Sequence, residues 1–432
     1  MNSYEIIAVR WPRGWQRCAI WHMMKPLFQA HFCLIFVCLL FTEGCCGGRV
    51  PATRNVKGTT TGPSTPPSTT IQRAPAWDGA FERYDGWTGG DVAQSVDLGD
   101  GRTLWLFGDS WIGRVEQGKH AAGSKMVSNV LAVHRHGPSF RAPKPNAIRY
   151  AWQRYEAGVD AWLRPLDKRL GKIENHFWFT RDGIVTTDTL GKRRLVLFAT
   201  KVAKDTTSDS VWGFRSLGGA MVIVDNYTQA LSDWKPRVVA MRADRAMPIL
   251  DTDAPLLHWG IALLRHQDEI VIYGLRQTKA GRKDLVVAKA AEAVLHDQSQ
   301  WRFLTEAGWS KKHANLKSVA DDMVDELSVD WVRCGKRRTL VMVHSEPLLG
   351  NGIMLRVASN PVGPFSVAKK VWTIAETKRH RKYFGGQAKA HKHLSPPGQL
   401  LISYVVNAHD FWLMAGDASI YRPRFIRYAV CP

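Results

Sequence analysis

Two aspartates flank a short hairpin-like stretch early in the chain. Asp91 opens the first strand-like segment and Asp109 follows the second. The loop between the segments, Gly99–Gly101, carries glycine where a positive φ is needed. Counting outward equally from Asp100 places Asp91 opposite Asp109, and directly opposite residues of an antiparallel pair have Cβ atoms about 4.5–5.5 Å apart. The sequence therefore predicts two carboxyl groups on one face of a hairpin.

Two carboxyl groups this close repel each other unless a proton or a cation lies between them. A shared proton divides the pair into an acid and a base, which is the arrangement that glycoside hydrolysis uses. We therefore predict that Asp91 and Asp109 are catalytic residues of a glycoside hydrolase that needs no cofactor. A structural Ca²⁺ ion bound between them is the alternative functional interpretation, and capping of a glycine-rich turn by each aspartate is the structural one.

Further candidates lie in or near five segments that resemble the innermost strands of a repeated unit. Most of these segments contain small residues, and each carries a polar or ionisable side chain where a structural strand would favour Val or Ile. The segments are Trp87–Ala93, Phe177–Gly183, His258–Ala262, Asp325–Val329 and Gly386–His391. The predicted substrate-binding residues are Trp87, Trp111, Asp182, His258, Trp259, Glu326, Lys389, His391 and Arg424. The tryptophans would stack on sugar rings, the acidic residues and His391 would position substrate or adjust pKa values, and Arg424 would hold a carboxylate.

One pattern that positions these residues recurs five times from Trp77 onward: a Gly-, Asp- or His-bearing segment, a turn and two apolar strands. The middle strands begin near residues 103, 195, 270, 340 and 400. Five such units favour an all-β, five-bladed β-propeller, because each blade then packs against a neighbour on both faces. The fifth unit ends with the chain, so the segment around Phe81–Tyr84 is predicted to supply its outer strand. Residues 152–170 are predicted to be a long loop or a stray helix.

The first 45 residues have the features of an export segment. Leu27–Phe41 is a largely apolar run that is shorter than the about 20 residues of a membrane span, and Met24 just before it is an alternative start. Small residues before Cys45 resemble a bacterial lipobox, which would make Cys45 a lipidation site. Residues 46–76 are predicted to be a disordered tether and residues 77–432 the propeller. We expect a protein of the cell envelope, lipid-anchored or periplasmic, or an extracellular one, with membrane contact only through the anchor.

The chain has a formal net charge of +21, and its densest basic run is Lys378–Lys382. Such a run could attract an anionic glycan, a cell-wall polymer or a lipid headgroup, or it could be a solvated loop. No zinc-knuckle, helix-turn-helix or RNP-type pattern accompanies the charge, so nucleic acid is not expected as a partner and a polysaccharide is. Zinc-ligand spacing, a nucleophile elbow, a P-loop and a dinucleotide fingerprint are also missing from the sequence. Cys334 and Cys431, the cysteines of the predicted propeller, could pair in an oxidising compartment.

Four motifs carry a resemblance to known families: WTGGDVAQSVDLGDGRTLWLFGDSWIG, GNGIMLRVASNPVGPFS, GGQAKAHKHL and YRPRF. From Trp77 to the C-terminus the chain resembles the bacterial families called domains of unknown function 5005 and 4185, which are similar to five-bladed glycoside hydrolases such as family 43. The second of these families includes endo-D-arabinanases of glycoside hydrolase family 183. By this resemblance Asp91 and Asp109 would be the acid/base and the nucleophile or base. A non-catalytic glycan-binding or surface-interaction propeller is the alternative, since it would keep aromatic residues and basic loops without needing two close carboxylates.

Overall fold

The computed structural model describes residues 71–137, 139–155, 158–167, 171–172, 175–205, 213–241, 257–278 and 281–431. They belong to one compact unit, Thr65–Pro432. The predicted export segment with Cys45, and the predicted tether as far as residue 70, lie outside the described residues. Among the residues that are described, no helix is long and apolar enough to cross a bilayer.

The first part of the structure is a strand-rich region with one short helix. Its elements are β1 (Ile71–Arg73), α1 (Pro75–Ala80), β2 (Asp85–Gly90), β3 (Gln94–Asp97), β4 (Arg102–Phe107), β5 (Ser110–Glu116), β6 (Lys119–His120), β7 (Lys125–Val127), β8 (Val130–Arg135) and β9 (Arg149–Ala151). Strands β3, β4, β8 and β9 form sheet 1, and β2, β5, β6 and β7 form a companion sheet. Two small hairpins follow, β10 (Gln153–Tyr155) with β11 (Gly158–Asp160) and β12 (Leu166–Asp167) with β13 (Gly171–Lys172), where the sequence predicts a loop or stray helix.

Four further antiparallel sheets follow in chain order. Sheet 2 consists of β14 (His176–Thr187), β15 (Arg193–Lys204), β16 (Phe214–Val224) and β17 (Arg237–Ala240). Sheet 3 consists of β18 (Leu257–His266), β19 (Glu269–Gln277), β20 (Lys283–Ala291), β21 (Arg302–Thr305) and β22 (Gly308–Ser310). Sheet 4 consists of β23 (Leu327–Cys334), β24 (Arg337–Ser345), β25 (Gly352–Ala358) and β26 (Lys369–Thr373). Sheet 5 consists of β27 (Tyr383–Ala390), β28 (Gln399–Ala408), β29 (Pro423–Ala429) and β1, and α2 (Phe411–Gly416) connects β28 to β29. Short 3-10 turns span Pro145–Ala147, Leu231–Asp233, Glu292–Val294, Gln298–Gln300, Ala375–Arg379 and Lys392–Leu394.

The all-β class predicted from the sequence is confirmed, and the predicted middle and third strands lie in the second and third strands of the five sheets. The strand that completes sheet 5 comes from a different place than predicted. Ile71–Arg73 pairs with β29, whereas Phe81–Tyr84 forms no strand and follows α1. The pairing strand thus lies within the segment predicted to be a tether.

Apolar residues alternate along the middle strands and fill five separate cores, one between each pair of neighbouring sheets. In sheet 2, Leu195 and Leu197 pack toward sheet 1, while Val196 and Phe198 pack toward sheet 3. The other cores lie between sheets 3 and 4, between sheets 4 and 5, and between sheets 5 and 1. Because successive side chains of a strand point to opposite faces, each sheet is apolar on both faces and needs two neighbours.

The first strands of the sheets follow one another around a common centre. Strand β3 contacts β14, β14 contacts β18, β18 contacts β23 and β23 contacts β27. Sheet 5 in turn contacts sheet 1 through a hydrogen bond of 2.7 Å between Ser95 Oγ and His391 Nδ1. A central cavity of about 680 Å³ is lined by the later parts of these strands, including Val96, Asp182 and Asp330. A disulfide between Cys334 and Cys431 joins the end of β23 to the chain after β29.

Candidate functional site

The hairpin register predicted from the sequence is the register of the structure. Gln94 pairs with Leu106 and Asp97 with Thr103 in sheet 1, and Gly90 pairs with Ser110 in the companion sheet. Between these ladders the Asp91 N–H donates to the carbonyl oxygen of Asp109 at 2.9 Å. The backbones of the two aspartates are therefore paired at the junction of two sheets, before the start of β3.

Glycine at position 108 makes room for the Asp91 carboxylate. The Gly108 N–H donates to the Asp91 carbonyl oxygen at 3.0 Å. A Cβ atom at position 108 would overlap Asp91 Oδ1. The FGD sequence before β5 thus lets one carboxylate lie against the backbone that carries the other.

Three non-glycine residues with positive φ surround Asp91. They are Val92 at 55°, Gln387 at 60° and Tyr421 at 59°. The Val92 N–H donates to Gln387 Oε1 at 3.1 Å, and the Gly90 N–H donates to the Tyr421 carbonyl oxygen at 2.7 Å. A β-branched residue is rare in this region of φ, and such strain persists only where the surroundings hold it, as at binding and catalytic sites.

Burial perturbs both carboxyl groups. It raises the pKa of Asp91 to about 7, against the opposing effect of hydrogen bonds from the Gln387 and Tyr421 side chains. It also raises the pKa of Asp109 well above its ordinary value, and the charge of Asp91 raises it further. Asp91 Oδ1 is buried with no hydrogen-bond partner among the described residues. We call Asp91, Asp109, Gln387 and Tyr421 the carboxylate site.

The YRPRF motif holds Tyr421 at this site. The buried Arg422 donates from Nε to the Thr88 carbonyl oxygen at 3.0 Å, which fastens the motif to β2. Burial raises the pKa of the Tyr421 hydroxyl well above its usual range, and so do the charges of both aspartates. Tyr421 and Gln387 are the members of the site that sequence reasoning did not single out, although both lie in motifs that resemble known families.

A cluster of alternating charges borders the carboxylate site. Glu326 lies 3.8 Å from Arg181 in an ion pair, and its charge contributes to the raised pKa of Asp91. Lys283 forms an ion pair with Asp325. His258 Nε2 lies 3.0 Å from Ser216 Oγ, and burial, followed by the charge of Arg181, lowers the pKa of His258 to about 4. Of the predicted substrate-binding residues, Glu326 thus acts on the charge of the carboxylate site, and His258 lies beside the same cluster of charges.

Asp182 and Lys389, predicted as substrate contacts, are engaged in contacts between sheets at the centre of the molecule and not at the carboxylate site. Asp182 is 7% exposed and accepts hydrogen bonds of 2.7 Å each from Gln94 Nε2, the Gly183 N–H and the Leu263 N–H. Lys389 is buried and donates to the Leu327 carbonyl oxygen at 3.2 Å. These contacts join sheets 1, 2 and 3 and sheets 4 and 5, and Asp182 also lines the central cavity.

His391 and Arg424 are likewise not placed as predicted. His391 is buried beside Trp105, with ring centroids 4.9 Å apart, and its Nδ1 is engaged by Ser95. Arg424 lies on β29, a third strand, and donates to the Ser419 carbonyl oxygen at 2.7 Å. A position in the inner strand, or near the chain end, did not reveal which way these side chains point.

The three tryptophans predicted to stack on sugars are instead part of the cores. Trp87, Trp111 and Trp259 are 1%, 4% and 2% exposed. Trp87 packs on Phe107 and Trp111 on His120, with centroids 4.7 and 4.5 Å apart. Large aromatic side chains fill the gap between sheets, and none of these three offers a face to a ligand.

Within the described ranges, no group of three or more His, Cys, Asp or Glu side chains is placed to hold a metal ion. The calcium alternative for the two aspartates stays a prediction.

Comparison with known proteins gives a family and a fold. A family model described as domain of unknown function DUF5005 matches residues 75–430. No curated protein matches the sequence. A crystal structure from Bacteroides ovatus ATCC 8483, provisionally described as a hydrolase, is similar with a TM-score of 0.64 at 19% identity, covering 83% of this chain and 90% of the other. This similarity shows that the two chains share a fold.

Two further solved structures are only weakly similar to this chain. An α-L-arabinofuranosidase from Podospora anserina has a TM-score of 0.43 at 9% identity, covering 80% of this chain and 93% of the other. A xylan β-1,4-xylosidase from Bacillus halodurans C-125 has a TM-score of 0.40 at 9% identity, covering 79% and 53%.

Proposed function

This chain belongs to the family described as domain of unknown function DUF5005, and we propose that it is a glycoside hydrolase that cleaves a polysaccharide with Asp91 and Asp109. The observation that carries the proposal is the carboxylate site itself. Two carboxyl groups with raised pKa values meet there, one of them with an unpartnered buried oxygen, and three strained residues hold them. Such a pair is costly to fold, and that cost is typical of acid/base sites.

The hydrogen bonds at the carboxylate site give Asp91 and Asp109 different roles in the proposed reaction. The Gln387 and Tyr421 side chains favour the charged form of Asp91. No side chain among the described residues donates to the Asp109 carboxyl, so the proton of the pair resides on Asp109. In the proposed reaction Asp109 protonates the glycosidic oxygen. The Asp91 carboxylate either takes a proton from the attacking water or attacks the anomeric carbon.

The proposal also includes a propeller fold and export from the cytoplasm. The succession of five sheets with a core between each pair supports a five-bladed β-propeller. Export to the cell envelope or the medium, with Cys45 as the lipidation site, is supported by the apolar run Leu27–Phe41. The Bacteroides ovatus structure, provisionally described as a hydrolase, agrees with a hydrolytic role.

The test is release of reducing ends from a panel of furanose- and pyranose-containing polysaccharides by the full chain and its variants. We expect Asp91→Asn and Asp109→Asn each to lower the rate by on the order of 10³-fold. The matched control is Asp330→Asn. Burial also raises the pKa of Asp330 to about 7, but this residue lines the central cavity. The control should keep the wild-type rate.

The opposite outcome is also specific. If Asp91→Asn and Asp109→Asn cleave as fast as the wild type, the carboxylate pair is not catalytic. If the wild type binds glycans without cleaving any of the panel, and both variants bind equally well, the alternative of a glycan-binding propeller holds.

A further inference from the structure

Helix α2 exposes two neighbouring aromatic side chains to solvent. Phe411 is 45% exposed and Trp412 is 79% exposed. The ring centroids of the two lie 5.5 Å apart, and the opposite side of α2, including Met414, packs on the core between sheets 4 and 5. We call Phe411 and Trp412 the aromatic platform.

Hydrogen bonds hold the backbone of α2 at both ends. Asp410 accepts hydrogen bonds from the N–H groups of Trp412 and Leu413 at 3.0 and 3.2 Å. At the other end of α2, Asp417 accepts from the Tyr383 hydroxyl at 2.8 Å. The backbone that carries the two aromatic side chains is therefore ordered before a ligand binds, so less entropy is lost when a flat ligand stacks on them.

The densest basic run of the chain lies beside this platform. Lys382 forms an ion pair of 2.8 Å with Asp410, and Arg379 one of 3.0 Å with Asp417, so the run Lys378–Lys382 is tied to both ends of α2. Two of its cations, Lys378 and Arg381, are exposed, and no ion pair or hydrogen bond of either side chain is described. Two exposed aromatic side chains thus lie on α2, and two exposed cations lie on the segment that is ion-paired to both ends of α2.

This surface adjoins the carboxylate site. The Phe411 ring lies 5.2 Å from that of Trp111, and Trp111 follows Asp109 by two residues. Ala408, which ends β28 just before α2, pairs with Tyr383 at the start of β27, the strand that carries Gln387. The platform is thus linked to the carboxylate site through Trp111 and through the pairing of β27 with β28.

We propose that Phe411 and Trp412, with Lys378 and Arg381, bind an acidic sugar residue of the polysaccharide, several residues along the chain from the cleaved bond. The inference rests on the proposed function, whose substrate class it narrows to a negatively charged glycan. Sugar rings present flat C–H faces that stack on indole, and the two cations attract a carboxylate or a phosphodiester carried by the same sugar chain.

The test measures binding in a background without turnover, the full chain with Asp91→Asn. The probes are polygalacturonate, which carries carboxylates, a teichoic acid, which carries phosphodiesters, and dextran as a neutral chain. We expect the acidic probes to bind more tightly than dextran, and their affinity to fall as salt is raised. Trp412→Ala should weaken binding of the acidic probes about fivefold, and the pair K378E/R381E about tenfold or more.

The matched control is K336E/R337E, which changes the net charge equally at the turn after β23 and the first residue of β24, where both side chains are exposed. It should weaken binding less than twofold. Equal losses for the two charge-reversed pairs, or full binding by Trp412→Ala, would overturn the proposal. So would binding to phosphatidylglycerol vesicles that depends on Trp412 when neither acidic glycan binds, because that result assigns the surface to a membrane.

Failure of this inference and failure of the proposed function give different results. If the platform variants bind normally while Asp109→Asn still abolishes cleavage, the hydrolase stands and the acidic subsite does not. If the platform variants lose binding while the wild type cleaves nothing, the inference of an acidic subsite holds and the hydrolase proposal fails. The protein then only binds glycans.

Discussion

Carboxyl groups with raised pKa values lie in two places, the central cavity and the carboxylate site, and their surroundings differ. In the central cavity, Asp182 has a pKa raised to about 6 by burial, but its oxygens accept three hydrogen bonds of 2.7 Å from three sheets. At the carboxylate site, Asp91 has a pKa raised to about 7, an oxygen without a partner and a strained valine as its neighbour. A raised pKa is therefore common to Asp182 and Asp91, whereas an unpartnered carboxyl oxygen and a neighbouring non-glycine residue of positive φ occur only at Asp91.

We infer from this difference that the Asp182 carboxylate stabilises the fold, whereas the Asp91 carboxylate lowers its stability. A satisfied buried carboxylate joins the elements that donate to it. An unsatisfied one next to a second carboxylate lowers stability, and its retention in a strained setting indicates chemistry. The comparison can be tested by replacing one aspartate in each place, Asp182 and Asp91, with asparagine.

The largest expected difference is between Asp182→Asn and Asp91→Asn. An amide at position 182 would turn a donor toward one of the donors Gln94, Gly183 and Leu263, and would remove the charge that faces the buried Lys389. We expect Asp182→Asn to lower the free energy of unfolding by about 3 kcal/mol at pH 7.5, measured by urea denaturation.

Asp91→Asn should leave the free energy of unfolding unchanged or raise it at the same pH. The folded chain keeps a proton on Asp91 up to about pH 7, whereas the unfolded chain releases it near the ordinary value of 3.8. Stability from this group is therefore greatest in acid and falls as the pH rises to about 7, and the asparagine variant lacks that fall. Equal losses for the two variants at pH 7.5 would contradict the comparison.

The strands and their register were predictable from the sequence because both depend on local signals. Alternating apolar residues and the glycines at 99 and 101 specify the hairpin that brings Asp91 to Asp109. The pairing of β1 was not predictable, because Ile71–Arg73 is three residues long and lies in a polar stretch whose partner is more than 350 positions away.

The direction in which each inner side chain points was the part that the sequence could not supply. Trp259 was assigned to a ligand, but an indole in a strand between two sheets fills their gap whenever both faces are covered. Gln387 and Tyr421 were missed because their role depends on positive φ values and on contacts made by distant strands. Neither residue type has a pattern that predicts such a backbone.

The next effect concerns the space that glycine leaves at the carboxylate site. Gly108→Ala places a methyl group where Asp91 Oδ1 lies, so the carboxylate must rotate away. A displacement of this kind is expected to lower kcat on the order of 100-fold, with little change in melting temperature, on whichever glycan the wild type cleaves. Gly137→Ala is the control, since a Cβ atom there meets nothing within 4 Å. An unchanged kcat for Gly108→Ala would mean that the position of Asp91 does not matter for turnover.

The smallest effect is a displacement of the pH profile by Tyr421→Phe. The Tyr421 hydroxyl stabilises the charged form of Asp91, so its removal raises the pKa of Asp91 further. If Asp91 must be ionised for catalysis, the acid limb of kcat/KM should move to higher pH by about one pH unit, while the rate on the plateau changes little. Tyr404→Phe is the control, because that hydroxyl donates to Glu376 at 3.2 Å and should leave the profile in place. An acid limb that stays fixed while the alkaline limb moves would reverse the roles of Asp91 and Asp109. If neither limb moves, Tyr421 only holds the backbone at the carboxylate site, and the division of roles by hydrogen bonding fails.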